Sequence, residues 1–88
     1  MYKVEPKDKV DKIFIKLDKK NPKQLKIIYK KLKEIVKYPY RYKNLRTPLN
    51  HLKRIHIDKH FVLVFSINEE TKTIILEDYE HHDKIYKR

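Results

Sequence analysis

The apolar residues of this chain change their spacing once, and that change limits the folds open to it. In the first part they recur at helical intervals. Val10, Ile13, Phe14 and Leu17 fall at i, i+3, i+4 and i+7, which puts them on one face of a helix. Leu25, Ile28, Leu32, Ile35 and Val36 do the same. Between the two runs lies Lys19-Lys20-Asn21-Pro22. Asn21 suits a helix N-cap, Pro22 the first helical position, and Gln24 the place of a capping-box partner. A second helix is therefore expected from about Pro22 until Tyr38-Pro39 ends it, and the two helices form a hairpin.

After a basic and aromatic loop, Tyr40 to Asn50, the period becomes two. Lys53, Ile55 and Ile57 alternate with Leu52, Arg54 and His56, as on the two sides of a strand. Phe61 to Ile67 is nearly all apolar and β-favouring, the pattern of a central strand covered on both faces. Thr73 to Tyr79 reads as a further strand, and the residues from His81 on are expected to leave the sheet. Tyr2 to Glu5 is a short first strand. The order is βααβββ, an α+β fold in which a helical hairpin packs on one face of an antiparallel sheet. Turns at Asp58–His60 and Asn68–Lys72 join the last three strands, and the second face stays partly open, with Arg54 and His56 along it. Eighty-eight residues make one domain, 1–88, with one modest core. The chain holds no glycine and four prolines, so the connections should be tight.

The formal charge of +11 is unevenly placed. Residues 1–59 hold 19 Lys/Arg against six Asp/Glu, a net +13, whereas residues 60–88 hold four against six, a net −2. Such an excess points to nucleic acid or to an acidic protein partner, or to solvated lysine faces on the helices. The arginines Arg41, Arg46 and Arg54 cluster more than solvation alone requires. With no cysteine, disulfides and thiol chemistry are out of reach, and the composition fits a reducing cytoplasm. Charge begins at the third residue, which argues against a signal peptide. The apolar runs are far too short for a membrane span.

The segment Glu77 to Tyr86, EDYEHHDKIY, carries the densest chemistry. Three potential metal ligands stand together at His81-His82-Asp83, yet adjacent residues on an extended chain point to opposite sides. No helical pair of histidines and no cysteine completes a site, so no metal and no cofactor are expected. Ser66 lies within an apolar strand, without the elbow a nucleophile needs. A phosphate loop needs glycine, which the chain lacks. Phosphodiester chemistry on RNA without a metal is what remains. It requires a base for the ribose 2′-hydroxyl, cations for the phosphate and an acid for the leaving oxygen. Arg54, His56, His81, His82, Lys84 and Tyr86 are the right residue types, and a final strand near Leu52–Asp58 would bring them together. Which of His81 and His82 faces that site depends on a register that shifts with one residue.

The order of elements and three motifs resemble the RelE/ParE toxin superfamily, most closely its archaeal RelE type. Leu45-Arg46-Thr47-Pro48-Leu49 looks like that family's L-K-G-P-L turn. Arg54-Ile55-His56-Ile57, a turn, and Phe61-Val62-Leu63-Val64-Phe65 look like R-V-R-V, turn, Y-R-V-I-Y. Tyr79 to Tyr86 is similar to the closing G-H-R-x-x-V-Y. The resemblance covers nearly the whole chain. It implies the toxin of a two-gene toxin–antitoxin module, an endoribonuclease that cuts mRNA in the ribosomal A site without a metal and so stops translation. It also implies an acidic, helical RelB-like antitoxin that wraps the toxin, with a heterotetramer as one assembly. By position, Arg54 and His56 would stand near the scissile phosphate. His81 or His82 would take the closing-motif site, and Tyr86 the terminal tyrosine tied to base stacking or activity. Arg46 and Lys53 would support the phosphate, and Arg41, Lys43 and Lys84 would be further RNA contacts. One position departs from the pattern: the family's frequent arginine in Y-R-V-I-Y is Val62 here. The alternative is a ParE-like or degenerate toxin that acts through protein contacts, such as gyrase inhibition, without cutting RNA.

Overall fold

The computed structural model describes residues 1–86. β1 (Lys3–Pro6) leads into α1 (Asp8–Lys20) and α2 (Pro22–Lys37), and a 3-10 turn (Pro39–Arg41) follows. Then come β2 (Lys53–Ile57), β3 (Phe61–Asn68), β4 (Thr73–His81) and a terminal helix, α3 (His82–Tyr86). The sheet order is β1-β4-β3-β2. The last three strands form the expected antiparallel meander. The sheet as a whole is mixed, because β1 lies along the far edge of β4 and runs parallel to it. The two helices between β1 and β4 bring the chain back to the same end, which allows the parallel pairing.

The hairpin begins where the sequence places it. Asn21 Oδ1 accepts the Gln24 amide at 3.2 Å, and Pro22 occupies the first helical turn. The reciprocal half of a capping box is not made. The Asn21 amide already donates to the Leu17 carbonyl at 2.8 Å, closing α1, and Gln24 is buried. Asp8 and Asp11 at the start of α1, with Lys19 and Lys20 at its end, suit the helix dipole.

Two apolar clusters lie on opposite faces of the sheet. The larger joins Val10 and Phe14 of α1, Leu25, Ile28 and Ile35 of α2, and Ile55, Ile57, Leu63, Phe65, Ile74, Leu76 and Tyr79 of the strands. Phe61 stacks on Tyr79 at 5.4 Å between ring centres, and Phe14 meets Tyr79 edge-on at 6.2 Å. The smaller cluster consists of Leu45, Val62, Val64 and Ile85, flanked by Leu49 and Leu52. The second face is therefore less open than the sequence suggests: the loop before β2 and α3 cover part of it. Interior strand β3 contributes to both clusters, as its unbroken apolar run requires.

A bulge in β4 sets which residue faces which side. Asp78 pairs with Val64 while Leu76 pairs with the next residue, Phe65, so Glu77 is the extra residue. Glu77 accepts the Ser66 hydroxyl at 2.6 Å and pairs with Lys7 at 2.5 Å. Without glycine, the two hairpin turns put Asp58 and Lys72 in the left-handed region, at φ 56° and 52°. At the far end of the sheet, Tyr2 and Tyr40 both donate to Glu69, and Lys72 donates to it at 2.7 Å. These bonds, led by that of Lys72, bring the Glu69 carboxyl down to about 2 and tie β1, the 3-10 turn and the β3–β4 turn together.

Candidate functional site

Alternation along β2 sends Arg54 and His56 to the face away from the hairpin, across from Val64 and Val62. The bulge at Glu77 puts Tyr79 and His81 on the hairpin side, where His81 lies opposite Phe61 and meets its ring edge-on at 5.6 Å. The chain then turns into α3. The His82 amide donates to the His60 carbonyl at 2.7 Å, pinning the start of α3 to the β2–β3 turn. Buried Ile85 holds the helix on Val62 and Val64. In this position the His82 ring lies over the His56 ring, with 5.5 Å between centres and 31° between planes.

The site thus assembles Arg54, His56 and His82. Burial pushes the His56 imidazole below its ordinary value, and the positive charges of Arg54 and His82 push it further the same way. Asp83 approaches His82 Nδ1 at 3.6 Å and His81 Nδ1 at 3.8 Å. Beside Arg54, a cleft of about 450 Å³ is lined by Asn44, Leu45, Arg46 and Arg54 itself. A neutral imidazole against a second imidazole, next to a guanidinium, can move protons in both directions and stabilise an anion.

The remaining residues named from the sequence stand outside this trio. His81 stacks on His60 at 5.9 Å, on the other face from His56. Lys53 points to the hairpin side, where its amine donates to the Tyr42 carbonyl at 3.1 Å and to Asn44 Oδ1 at 2.8 Å. Arg41 lies over the Tyr38 ring at 4.7 Å, near the end of α2. Lys43 is exposed beside β2, where its carbonyl accepts the Arg54 amide at 3.0 Å. Lys84 is exposed and reaches Glu80 at 4.0 Å. The Tyr86 side chain lies outside the described residues. Val62 has no exposed surface and sits beneath Ile85, in the row His56–Val62–Glu80 that crosses three strands. Glu80 and buried Asp78, which lies in the neighbouring row Arg54–Val64–Asp78, are residues on this face that sequence reasoning missed. The signal was the alternation of β4, out of phase by one residue after Leu76. Among the described residues, no three His, Asp or Glu side chains converge so as to hold a metal ion, and no helix is long and apolar enough to cross a membrane.

No protein-family model matches the chain. An uncharacterized protein of Methanosarcina mazei is 62% identical over 86 residues, covering 98% of this chain and all of that one. The candidate toxin RelE4 of Methanocaldococcus jannaschii is 54% identical over 88 residues, covering 100% of this chain and 94% of that one. Among solved structures, the YoeB–YefM complex of Staphylococcus aureus matches with a TM-score of 0.79 at 16% identity, over 93% of this chain and 98% of that one. The toxin–antitoxin complex RelBE2 of Mycobacterium tuberculosis matches with a TM-score of 0.76 at 20% identity, over 92% and 91%. These structures show the same small α+β fold, and the full-length similarity to RelE4 goes further. The chain belongs to the RelE/ParE superfamily of toxins.

Proposed function

We propose that this toxin is an endoribonuclease that cuts mRNA in the ribosomal A site with its own side chains. The observation that carries the reading is the pair His56 and His82 beside Arg54, on a face not covered by the helical hairpin. His56, held neutral near pH 7, takes the proton of a ribose 2′-hydroxyl. The 2′-oxygen attacks phosphorus, the P–O5′ bond breaks, and protonated His82 gives its proton to the leaving 5′-oxygen. The products are a 2′,3′-cyclic phosphate and a free 5′-hydroxyl. Arg54 stabilises the charge on the phosphorane, and Arg46, across the cleft, holds a neighbouring phosphate. Tyr86 is assigned to the stacking of a base.

Primer extension on messages from cells expressing the chain tests this reading. New 5′ ends within translated regions are expected, and their absence while growth stops would refute it. The partner is an acidic antitoxin with amphipathic helices that neutralises the basic surface. The solved neighbours named for toxin–antitoxin complexes support that assignment. A short reading frame for such a chain next to this gene is the expected companion.

Val62 favours a second reading. Its buried side chain leaves the middle of the site face without a cation, as in a toxin that acts through protein contacts. Gyrase inhibition with intact message would then accompany toxicity.

A further inference from the structure

The edge of the sheet at β2 carries a second cleft, which the histidine pair does not use. It measures about 310 Å³ and is lined by Tyr40, Asn44, Asn50, His51, Lys53 and Ile67. Sites for small ligands begin at about that size. Its parts are held in place. The Tyr40 ring is 57% exposed, and its hydroxyl donates to Glu69 at the far end of the sheet. That bond pushes the hydroxyl up to about 12, so the ring keeps its anchor throughout the neutral range. Asn44 bridges to Lys53, and the Leu45 amide donates to the Leu52 carbonyl at 2.8 Å, which pins the loop to β2. The Lys53 amine donates to the Tyr42 carbonyl and to Asn44 Oδ1, and lies 5.5 Å from the centre of the Tyr40 ring.

These contacts decide what the cleft can recognise. An ammonium has donors only, so the Asn44 atom that meets Lys53 is the amide oxygen, and the NH₂ group is what Asn44 has left to offer. Lys53, committed to two oxygens, shapes the wall instead of gripping a phosphate. The carboxylate of Glu69 behind Tyr40 further disfavours an anion. An exposed aromatic ring, the apolar Ile67 and fixed amide donors suit a flat, uncharged ligand with acceptors on its edge. An unpaired nucleobase is such a ligand. Asparagine reads adenine with its oxygen and NH₂ together, and here the oxygen is taken. Donors alone match O6 and N7 of guanine. The cleft also adjoins the cleavage site. Asn44 lines the larger cleft together with Arg46 and Arg54, and Lys53 stands three residues before His56 on β2, about 10 Å away. A base seated here lies beyond the dinucleotide between His56 and His82.

We propose that Tyr40, Asn44 and Lys53 form a specificity site that holds a guanine of single-stranded RNA, adjacent to the cleaved dinucleotide but outside it. Tyr40 stacks on the base, Asn44 donates to its O6–N7 edge, and Lys53 positions Asn44. The inference rests on the proposed function for its premise that RNA is the ligand.

Fluorescence anisotropy on the full chain tests the proposal with labelled 2′-O-methyl RNA hexamers, which cannot be cleaved. One hexamer is all adenine, and the other carries a single guanine. The guanine hexamer should bind about fivefold to a hundredfold more tightly. Inosine keeps O6 and N7, so a hexamer with inosine in that place should bind like the guanine one. Tyr40→Ala should weaken guanine binding about tenfold through lost stacking. Asn44→Asp keeps an oxygen on Lys53 but removes the N–H donors, and should bring the ratio of the two affinities to about one. Taking the ratio cancels the added negative charge. Lys53→Met frees the Asn44 amide to turn and should lower the ratio in the same way. Equal affinity for the two hexamers, or binding of neither, would overturn the proposal. So would inosine behaving like adenine, an arm that needs only the unaltered chain, or a guanine preference that survives Asn44→Asp. A chain that selects guanine but never cuts message would refute the proposed function and leave this inference standing. One that cuts message yet binds both hexamers alike would do the reverse.

Discussion

The two faces of one sheet do different work in this molecule. On the hairpin side, α1 and α2 seal a continuous core in which Ile28, Ile35, Phe65, Ile74 and Leu76 have no exposed surface. On the other side a cluster of four buried residues, Leu45, Val62, Val64 and Ile85, holds down a loop and a five-residue helix. The large core fixes the strands. The small one fixes only what lies on top of them, and that includes the position of His82 over His56. Stability and site geometry are thus separable by face.

Substitutions can break that contrast. Phe65→Ala on the sealed side should cost about 3–5 kcal/mol of unfolding free energy, enough to unfold a small domain. Ile85→Ala should cost about 2 kcal/mol, because a short terminal helix can collapse onto the gap. Denaturant unfolding compares the two, and equal losses would show that the faces are not separable. At the site, His82→Ala should lower cleavage of ribosome-bound message by about 10²- to 10⁴-fold. It should change unfolding free energy by no more than about 0.5 kcal/mol. Tyr79→Phe probes the sealed side in the other direction. The Tyr79 hydroxyl is buried with no hydrogen-bond partner among the described residues. Burial raises its pKa well above the ordinary value, with the charge of Asp58 adding to the effect. Removing it should stabilise the fold by about 1 kcal/mol.

The smallest effect expected is on pH dependence. His56 titrates in the folded chain below its ordinary value, chiefly because of burial. Well above pH 7 it is neutral folded and unfolded, and it contributes nothing to the pH slope. As pH falls through about 6.5 the unfolded chain takes up the proton first, so stability declines until the folded chain is protonated as well. His56→Gln should flatten the loss of stability between about pH 6.5 and the lower folded value, read as midpoints of thermal unfolding across that range. An unchanged slope would show that His56 is as free to charge in the folded chain as in the unfolded one.

Much of this was legible in the sequence. The two periodicities placed α1, α2, β2 and β3 to within a residue or two, and Asn21-Pro22 marked the start of α2. Two elements were harder to read. β1 is four residues long, and what stabilises it is pairing with β4, some seventy residues away in the chain; local patterning does not encode such a contact. α3 is five residues long, too short for a helical period to show. The site was half legible: Arg54 and His56 follow from alternation in β2. The choice between His81 and His82 turned on the bulge at Glu77 and the turn into α3. Apolar residues at Ile74, Leu76 and Tyr79 do record the one-residue slip. The basic side chains gave a different kind of trouble, since Lys53 and Arg41 are right in type for phosphate but are drawn into contacts away from the site.

The central claim is that His56 and His82 cut message on the ribosome. Purified chain added to ribosomes programmed with a defined message tests it most directly, with the 5′ ends of the fragments mapped. The account predicts cleavage at the A-site codon, lost in the variants His56→Ala and His82→Ala. Intact message with the unaltered chain, or full cleavage by both histidine variants, would contradict it.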